Sequence, residues 1–291
     1  MALLQITSLP FSFAKLPLPR ETKSSYLEKR SFNLHGGTQP KASFKVYNTN
    51  QTITRRSANF EPSTWSYDYI QSLSTEYKEE VYKNQVSVLK EKVRMMFCKV
   101  ENELDQLEFI DLLQRLGVEY HYPNEIRNVL DNIYKTENSN NEEKNLYATS
   151  LKFRLLRQHG YDISSDIFIR FKDENGNLKK SEHADVEGLL SLYEASFHSF
   201  EDENILDELK DFASKFLKDY LNEGKGDYTS DLINHALDFP LHWRVPKFEA
   251  RWFINVYQKK ENMIPDLLQF AKLDFNISQA NYREELKESS R

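Results

Sequence analysis

The feature that most constrains the fold is the spacing of apolar residues, which recurs at three and four positions through most of the chain after residue 65. A helix with 3.6 residues per turn brings such positions onto one face. Four sets have this spacing: Val86, Leu89, Val93, Met96 and Val100; Ile126, Val129, Leu130, Ile133 and Tyr134; Val186, Leu189, Leu190, Tyr193 and Phe197; and Ile205, Leu209, Phe212, Phe216 and Tyr220. No segment alternates with period two over the length of a strand. The spacing therefore predicts an all-α domain of roughly ten helices.

Residues that begin and end helices support this prediction. Pro123 suits a first helical position, Asp185 suits an N-cap, and Gly117 suits the position after a helix. Short polar links at 137–145 and 222–228 predict that successive helices are antiparallel neighbours. No repeat of fixed length is visible, which argues against a TPR or HEAT solenoid.

The charge of the chain changes sign near Arg56. Residues 1–56 carry a net charge of +7, whereas the whole chain carries −6, so the remainder carries −13. The basic arm is rich in Ser and Thr and poor in acids, which is typical of an organelle transit peptide. Pro10, Pro17 and Pro19 interrupt its apolar opening, so a secretory signal is less favoured. A disordered plastid transit peptide over residues 1–54 is predicted. The alternative is a disordered N-terminal tail that carries no targeting signal.

Composition argues against several classes of partner. The acidic body has no basic stripe, so a nucleic-acid partner is not expected. No run approaches the ~18 apolar residues of a membrane span. The single cysteine, Cys98, cannot form an internal disulfide, which fits a reducing or stromal compartment. Because it lies within a periodic run, Cys98 is predicted to be a buried structural thiol.

Motifs that bind phosphates or metals are missing from the sequence. The eight glycines form neither a dinucleotide-binding motif nor a P-loop. His235 and His242 are seven residues apart with Pro240 between them, so they are read as helix-end histidines and not as zinc ligands. The acidic stretch Glu201–Asp211 is interpreted as a helix start and a solvated face. No catalytic residue, no metal ligand and no cofactor are predicted on this chain.

Several blocks carry a resemblance to a known family, and they are long and ordered. They are Leu155–Leu178, Asp185–Phe197, Leu237–Tyr257 and Leu267–Lys287. From about Arg55 to the last residue, the chain resembles the N-terminal domain of plant terpene synthases. The pair Arg55-Arg56, eight residues and then Trp65 are similar to the tandem-arginine motif of plastid monoterpene synthases. The resemblance implies a helical barrel-like array of paired antiparallel helices, assigned to residues 66–275, and a plastid location.

The resemblance also implies a chemistry that this chain does not visibly contain. The family ionises a prenyl diphosphate, such as geranyl diphosphate, with Mg²⁺ or Mn²⁺ held by an Asp-Asp-x-x-Asp motif and a second motif in a C-terminal domain. Neither motif occurs here. The expectation is a terpene synthase-like lyase truncated before its catalytic domain and inactive alone, with residues 276–291 starting the linker helix. That missing domain is the expected partner, and prenyl diphosphate binds only with it. The alternative is a stand-alone helical interaction module.

The tandem-arginine segment, residues 55–65, has two interpretations. By resemblance, Arg55 and Arg56 belong to a strand that folds over the active site and helps to position or isomerise geranyl diphosphate, with Trp65 as its anchor. Guanidinium groups suit this task because they form paired hydrogen bonds with phosphate or carboxylate. For this chain alone, a solvated dibasic site at the end of the transit peptide is the favoured interpretation.

The aromatic block near Trp243 also has two interpretations. Trp243, Trp252 and Phe253 could line a ligand pocket. However, Phe248, Trp252 and Val256 share helical spacing, which favours core packing. The second interpretation is that four charged residues in the block contact the missing domain: Arg244, Lys247, Glu249 and Arg251.

Overall fold

The chain was analysed as a computed structural model that describes residues 64–136, 145–174 and 176–290. The tandem arginines and the predicted transit peptide lie outside these residues. The described part is all-α, as predicted. Its α-helices are α1 (Tyr67–Ser72), α2 (Glu80–Phe97), α3 (Glu103–Arg115), α4 (Pro123–Thr136), α5 (Leu146–Gln158), α6 (Val186–Ser196), α7 (Asn204–Asn222), α8 (Tyr228–Asp238), α9 (Pro246–Tyr257) and α10 (Pro265–Ser289).

The connection between α5 and α6 contains the least regular structure. It includes 3₁₀ helices at Ser165–Phe171 and Lys180–Ala184, and between them a single β-bridge joins Lys172 to Leu178. Apart from this bridge, the described residues contain no β-structure. None of the helices in the described part is long and apolar enough to cross a membrane.

Helix ends follow the local signals in the sequence. The Asp185 carboxylate accepts a hydrogen bond from the Gly188 N–H and so caps α6, as predicted. Pro123 is the first residue of α4, where its missing N–H removes no helical hydrogen bond. Gly117 follows α3 with a φ of +70°, and the next N–H, that of Val118, bonds the Leu113 carbonyl at 3.0 Å.

The core is centred on α5 and α6, which pack against each other, while α7 packs on α6. Most residues of α5 and α6 are buried, including charged ones, so both helices are enclosed on nearly all sides. The outer helices bury only one face. In α7 the buried residues differ from the predicted ones, of which only Leu209 is fully buried. The buried residues are Leu206, Leu209, Ala213 and Leu217. The predicted aromatic residues Phe212 and Phe216 flank them and are partly buried.

Two burial predictions were wrong. Cys98 is exposed, because it forms the C-cap of α2 just beyond the last turn that contacts the core. Phe248 is 75% exposed, whereas Phe253 and Tyr257 are buried. Helix α9 thus turns a face centred on Phe253 inward, and Phe248 lies outside that face.

Replacing Gly117 with alanine should lower the free energy of unfolding by about 2–4 kcal/mol. An added Cβ would adopt a disfavoured positive φ and would lie 2.7 Å from the Ala250 Cβ, at the contact between the α3 end and α9. Urea denaturation followed by far-UV circular dichroism measures this change.

Gly224→Ala is the matched control, because Gly224 has the same φ of +70° and open space where a Cβ would lie. This variant should lose only the backbone contribution, about 1 kcal/mol. Equal losses in the two variants would show that the close approach to Ala250 contributes nothing.

Candidate functional site

Of the three residues in the tandem-arginine motif, the structure places Trp65. Its indole is 60% exposed and stacks on the Tyr69 ring of α1, with centroids 5.2 Å apart. Arg55 and Arg56 lie outside the described residues. Trp65 therefore lies just before the start of α1 and contacts its first turn.

Helix α1 is attached to the C-terminal part of α10. The Gln71 side chain donates hydrogen bonds to the Lys287 carbonyl and the Ser290 hydroxyl, each at 2.9 Å. Just after α1, the Lys78 ammonium lies 2.6 Å from the Glu284 carboxylate. The beginning and the end of the described chain consequently meet on one side of the helical body.

A buried arginine joins α5 to the segment before α7. The Arg157 guanidinium donates to both Glu203 carboxylate oxygens and to the carbonyls of Ile163 and His198. It also lies 4.2 Å from the Phe200 ring centroid. The side chain is only 3% exposed, so its charge is compensated by these acceptors and not by water.

This contact should make stability depend on acid pH. Hydrogen bonds from Arg157, aided by the Phe200 N–H and opposed by desolvation, lower the pKa of Glu203 to about 2. An unfolded glutamate titrates near pH ~4.3. A depressed folded pKa adds stability that is complete above the unfolded pKa and is lost as the pH falls towards the folded pKa.

We therefore expect Glu203→Gln to flatten the fall in unfolding free energy between about pH 5 and pH 2. Urea denaturation across this range measures the slope. Glu261→Gln, at an exposed site, is the control and should keep the slope of the parent. If both variants follow the parent slope, the Arg157–Glu203 contact does not account for the acid sensitivity.

A second charged network connects α3, α5 and α6. Asp111 accepts from Arg115 at 2.8 Å and from Arg154 at 2.5 Å, and Arg115 also bonds the Glu194 carboxylate. The two arginines outweigh desolvation and keep the pKa of Asp111 below its usual value. Sequence reasoning missed this network and Arg157. The available signal was arginine at two positions three apart, Arg154 and Arg157, next to the apolar residues Phe153, Leu155 and Leu156.

The charged residues of the aromatic block mostly make internal contacts. The Arg244 side chain is 6% exposed; it donates to the Glu249 carboxylate at 2.8 Å and to the carbonyls of His235 and Phe239. Glu249 also bonds the His235 ring, which stacks on Trp252 with centroids 3.4 Å apart. Arg244 and Glu249 thus join α8 to α9, and contacts from these residues to another domain stay a prediction.

Lys247 likewise contacts its own domain. Its ammonium lies 3.5 Å from the Ser278 hydroxyl and 5.1 Å from the Tyr120 ring centroid. Near it, the Asp274 carboxylate accepts from the Tyr120 hydroxyl at 2.8 Å and contacts the His121 ring at the same distance. This cluster fixes α10 against the turn before α4.

The described residues do not fit a magnesium site. Among them, no group of three or more histidine, cysteine, aspartate or glutamate side chains is placed to hold a metal ion. In the acidic stretch, Asp207 pairs with Lys210 and Glu208 pairs with Lys172, in addition to the Glu203 contact with Arg157. These carboxylates are thus engaged with cations within the domain.

A cluster of exposed apolar side chains lies at the junction of α8 and α9. Phe239, Trp243, Val245 and Phe248 are each at least half exposed. The rings of Phe239 and Trp243 contact each other, with centroids 6.3 Å apart. More than half of Trp243 therefore faces solvent, and the cluster has the character of a contact surface.

Comparison with protein families gives one match, to the family described as "Terpene synthase, N-terminal domain", over residues 64–237. A myrcene synthase, chloroplastic, from Quercus ilex is 48% identical over 100% of this chain and 49% of its own length. Another from Humulus lupulus is 43% identical over 100% of this chain and 48% of its own length. The chain thus spans about half the length of these relatives. Their chloroplastic names confirm the plastid location predicted from the arm.

Solved structures share the fold. A limonene synthase structure with 2-fluorolinalyl diphosphate is 43% identical, with a TM-score of 0.75 over 79% of this chain and 44% of that one. An isoprene synthase from Populus x canescens, in complex with three Mg²⁺ ions and dimethylallyl-S-thiolodiphosphate, is 41% identical, with a TM-score of 0.69 over 79% of this chain and 43% of that one. The predicted helical array is confirmed by these matches.

Proposed function

Because the chain belongs to the terpene synthase family, we propose that it supplies the N-terminal helical domain of a plastidial monoterpene synthase that converts geranyl diphosphate to a terpene. The observation that carries this proposal is the similarity to monoterpene synthases along the whole chain. Those relatives are about twice as long, so a second, catalytic domain is the partner that the proposal requires. In this proposal, the 291 residues alone release no terpene.

Metal chemistry is assigned to that second domain. Magnesium prefers oxygen ligands, and a few carboxylates together with substrate phosphates satisfy it while neutralising the leaving diphosphate. The described carboxylates do not form such a group. This domain is instead proposed to act through its arm and its packing against the second domain.

The arrangement of α1 and α10 supports a role for the arm. The C-terminal end of α10 lies beside α1, because the Gln71 side chain donates to the Lys287 carbonyl and the Ser290 hydroxyl. The arm that precedes α1 therefore starts close to where a following domain would begin. We propose that Arg55 and Arg56 reach the active site of that domain, with Trp65 as the anchor.

We propose the same domain boundaries as those predicted from the sequence. They give a transit peptide over 1–54, an arm over 55–65, a helical domain over 66–275 and a linker helix from 276. Helix α10 runs from Pro265 to Ser289 without a break. The linker would thus continue the last helix of the domain, so that the domain and its partner are connected by a rigid element.

The proposal is tested by fusing the catalytic domain of the Quercus ilex myrcene synthase after Arg291. With geranyl diphosphate and Mg²⁺, the fusion should release monoterpene at about ten times the rate of that catalytic domain alone or more, because the arm closes the active site against water. Gas chromatography of the headspace measures the product.

The unfused chain is assayed in parallel and should give no product. Metal-dependent terpene release by the unfused chain would contradict the proposal. A correctly folded fusion no faster than the catalytic domain alone would favour the alternative, an interaction module. The exposed cluster of Phe239, Trp243, Val245 and Phe248 is the observation that supports that alternative.

A further inference from the structure

The outer face of α2 carries apolar side chains at intervals of seven residues. Val81, Val88 and Met95, here called the α2 stripe, are 50%, 59% and 56% exposed. The apolar residues that α2 turns towards the helical body are Val86, Leu89, Val93 and Met96. An interval of seven keeps side chains on one side of a helix over several turns, as in helices that pair with another helix. The α2 stripe therefore has the spacing of a helix-pairing surface about 21 Å long.

The α2 stripe is symmetric about its middle residue. Val88 lies midway between Val81 and Met95 in the sequence. An antiparallel copy of α2 can therefore place Val88 against its own counterpart, while Val81 meets Met95 of the second copy. Contacts that occur twice about a two-fold axis are typical of homodimers. The spacing thus fits a second copy of this chain.

The polar residues beside the stripe match in the same register. Asn84 then faces Lys92 of the second copy, and Gln85 faces Glu91. An amide oxygen accepts from an ammonium group, and an amide N–H donates to a carboxylate, so both pairs can form hydrogen bonds. All four residues are exposed among those that the structure describes. Lys92 and Glu91 each form an ion pair within their own copy and keep further donors or acceptors.

Charge also favours the antiparallel orientation over the parallel one. A parallel pairing in register places Glu91 against Glu91 and Lys92 against Lys92, so that like charges meet. The two ends of the helix differ in sign: residues 76–83 contain three acids and two bases, a net −1, and residues 90–99 contain four bases and one acid, a net +3. Antiparallel copies bring these two segments together, and their helix dipoles oppose each other.

We propose that the chain forms a two-fold symmetric homodimer, in which the α2 stripes of two copies pack against each other in antiparallel orientation. A helix pair about 21 Å long buries less surface than the ~1,200–2,000 Å² of a standard stable interface. The dimer is accordingly weak, with a Kd of about 10–100 µM. The proposal is independent of the activity proposed above, because it uses only the outer face of α2.

Sedimentation velocity of the 291-residue chain tests the association. Between about 1 and 500 µM, the chain should change from monomer to dimer. Val88→Glu places two carboxylates against each other on the two-fold axis and should raise the Kd at least about tenfold. Phe248→Glu adds the same charge to the exposed cluster at the junction of α8 and α9, and it should keep the Kd of the parent.

Three results of this experiment would overturn the proposal. The first is a monomer at every concentration. The second is a Kd for Val88→Glu equal to that of the parent, with the variant shown to be folded by circular dichroism. The third is a loss of association in Phe248→Glu, which would assign the interface to the junction of α8 and α9.

Disulfide formation tests the register. The variants carry Cys98→Ser, which removes the single cysteine of the chain. Val88→Cys should give a disulfide-linked dimer under mild oxidation, because position 88 meets itself on the axis. Val81→Cys should not link to itself but should link to Met95→Cys when the two variants are mixed. Non-reducing gel electrophoresis measures the products, and self-linking of Val81→Cys as fast as that of Val88→Cys would refute the antiparallel register.

The second domain of a longer chain is the competing occupant of this face. The fusion with the Quercus ilex catalytic domain should therefore be examined by sedimentation velocity as well. It should dimerise with the Kd of the 291-residue chain. A fusion that stays monomeric while the 291-residue chain dimerises would assign the α2 stripe to contacts with that domain and overturn the proposed homodimer.

Discussion

Arg157→Ala should lower the free energy of unfolding by about 3–5 kcal/mol, a large fraction of the total for a domain of this size. The guanidinium is 3% exposed and holds four acceptors together: the Glu203 carboxylate, the carbonyls of Ile163 and His198, and the Phe200 ring. Its removal leaves the two carbonyls without this donor and leaves the Glu203 carboxylate with the Phe200 N–H but no neutralising charge. Urea denaturation followed by circular dichroism measures the loss.

Arg94, which forms ion pairs at the surface, is the control for the buried Arg157. Arg94 also contacts two carboxylates, those of Glu91 and Glu125, but it is exposed, so water replaces the lost contacts. Arg94→Ala should keep the denaturation midpoint of the parent. Adding Glu203→Gln to Arg157→Ala should recover part of the loss, since no uncompensated charge remains. A midpoint for Arg157→Ala equal to that of Arg94→Ala would refute the structural role of Arg157.

The helices with one buried face were predictable, because the spacing of their apolar residues is visible within the sequence of each helix alone. Four residues of the set, from Val86 to Met96, lie in α2, where Leu89 and Val93 are buried, whereas Val100 lies beyond the end of this helix. Helix α5 gave no such signal, since nearly every residue in it is buried and no polar face remains. Whether a helix is enclosed on all sides depends on neighbours that are distant in sequence. The 3₁₀ helices between α5 and α6 likewise show no regular apolar spacing, because their packing also depends on residues that are distant in sequence.

The candidate site was less predictable than the fold. The motif that contains Trp65 is visible in the sequence, but the contact between α1 and α10 joins residues more than two hundred positions apart. The same holds for Arg244 and Glu249, whose charges suggested a contact with another domain. Their burial follows from the packing of α8 on α9, which no local spacing reveals. Charged residues in an aromatic segment are thus ambiguous until the packing is known.

In the fusion with the Quercus ilex catalytic domain, replacing both Arg55 and Arg56 with alanine should reduce turnover of geranyl diphosphate by about 10–100-fold. We propose that the two guanidinium groups contribute charged hydrogen bonds when the arm closes; losing about 1.5–3 kcal/mol at the transition state corresponds to this range. The share of alcohols relative to the hydrocarbon product should also rise, because an arm that closes late admits water to the cation. Gas chromatography measures both changes.

Two further variants separate charge from general effects on the arm. Arg20→Ala with Arg30→Ala removes two arginines from the predicted transit peptide, outside the arm, and should leave turnover unchanged. Arg55→Lys with Arg56→Lys keeps the charge but not the planar paired donors, so turnover should fall between the parent and the double-alanine variant. Trp65→Ala should act in the same direction as the double-alanine change, since the stacking on Tyr69 orients the start of the arm. If the double-alanine and the Arg20/Arg30 variants behave alike, the pair is a solvated dibasic site, and the proposed closure over the active site is wrong.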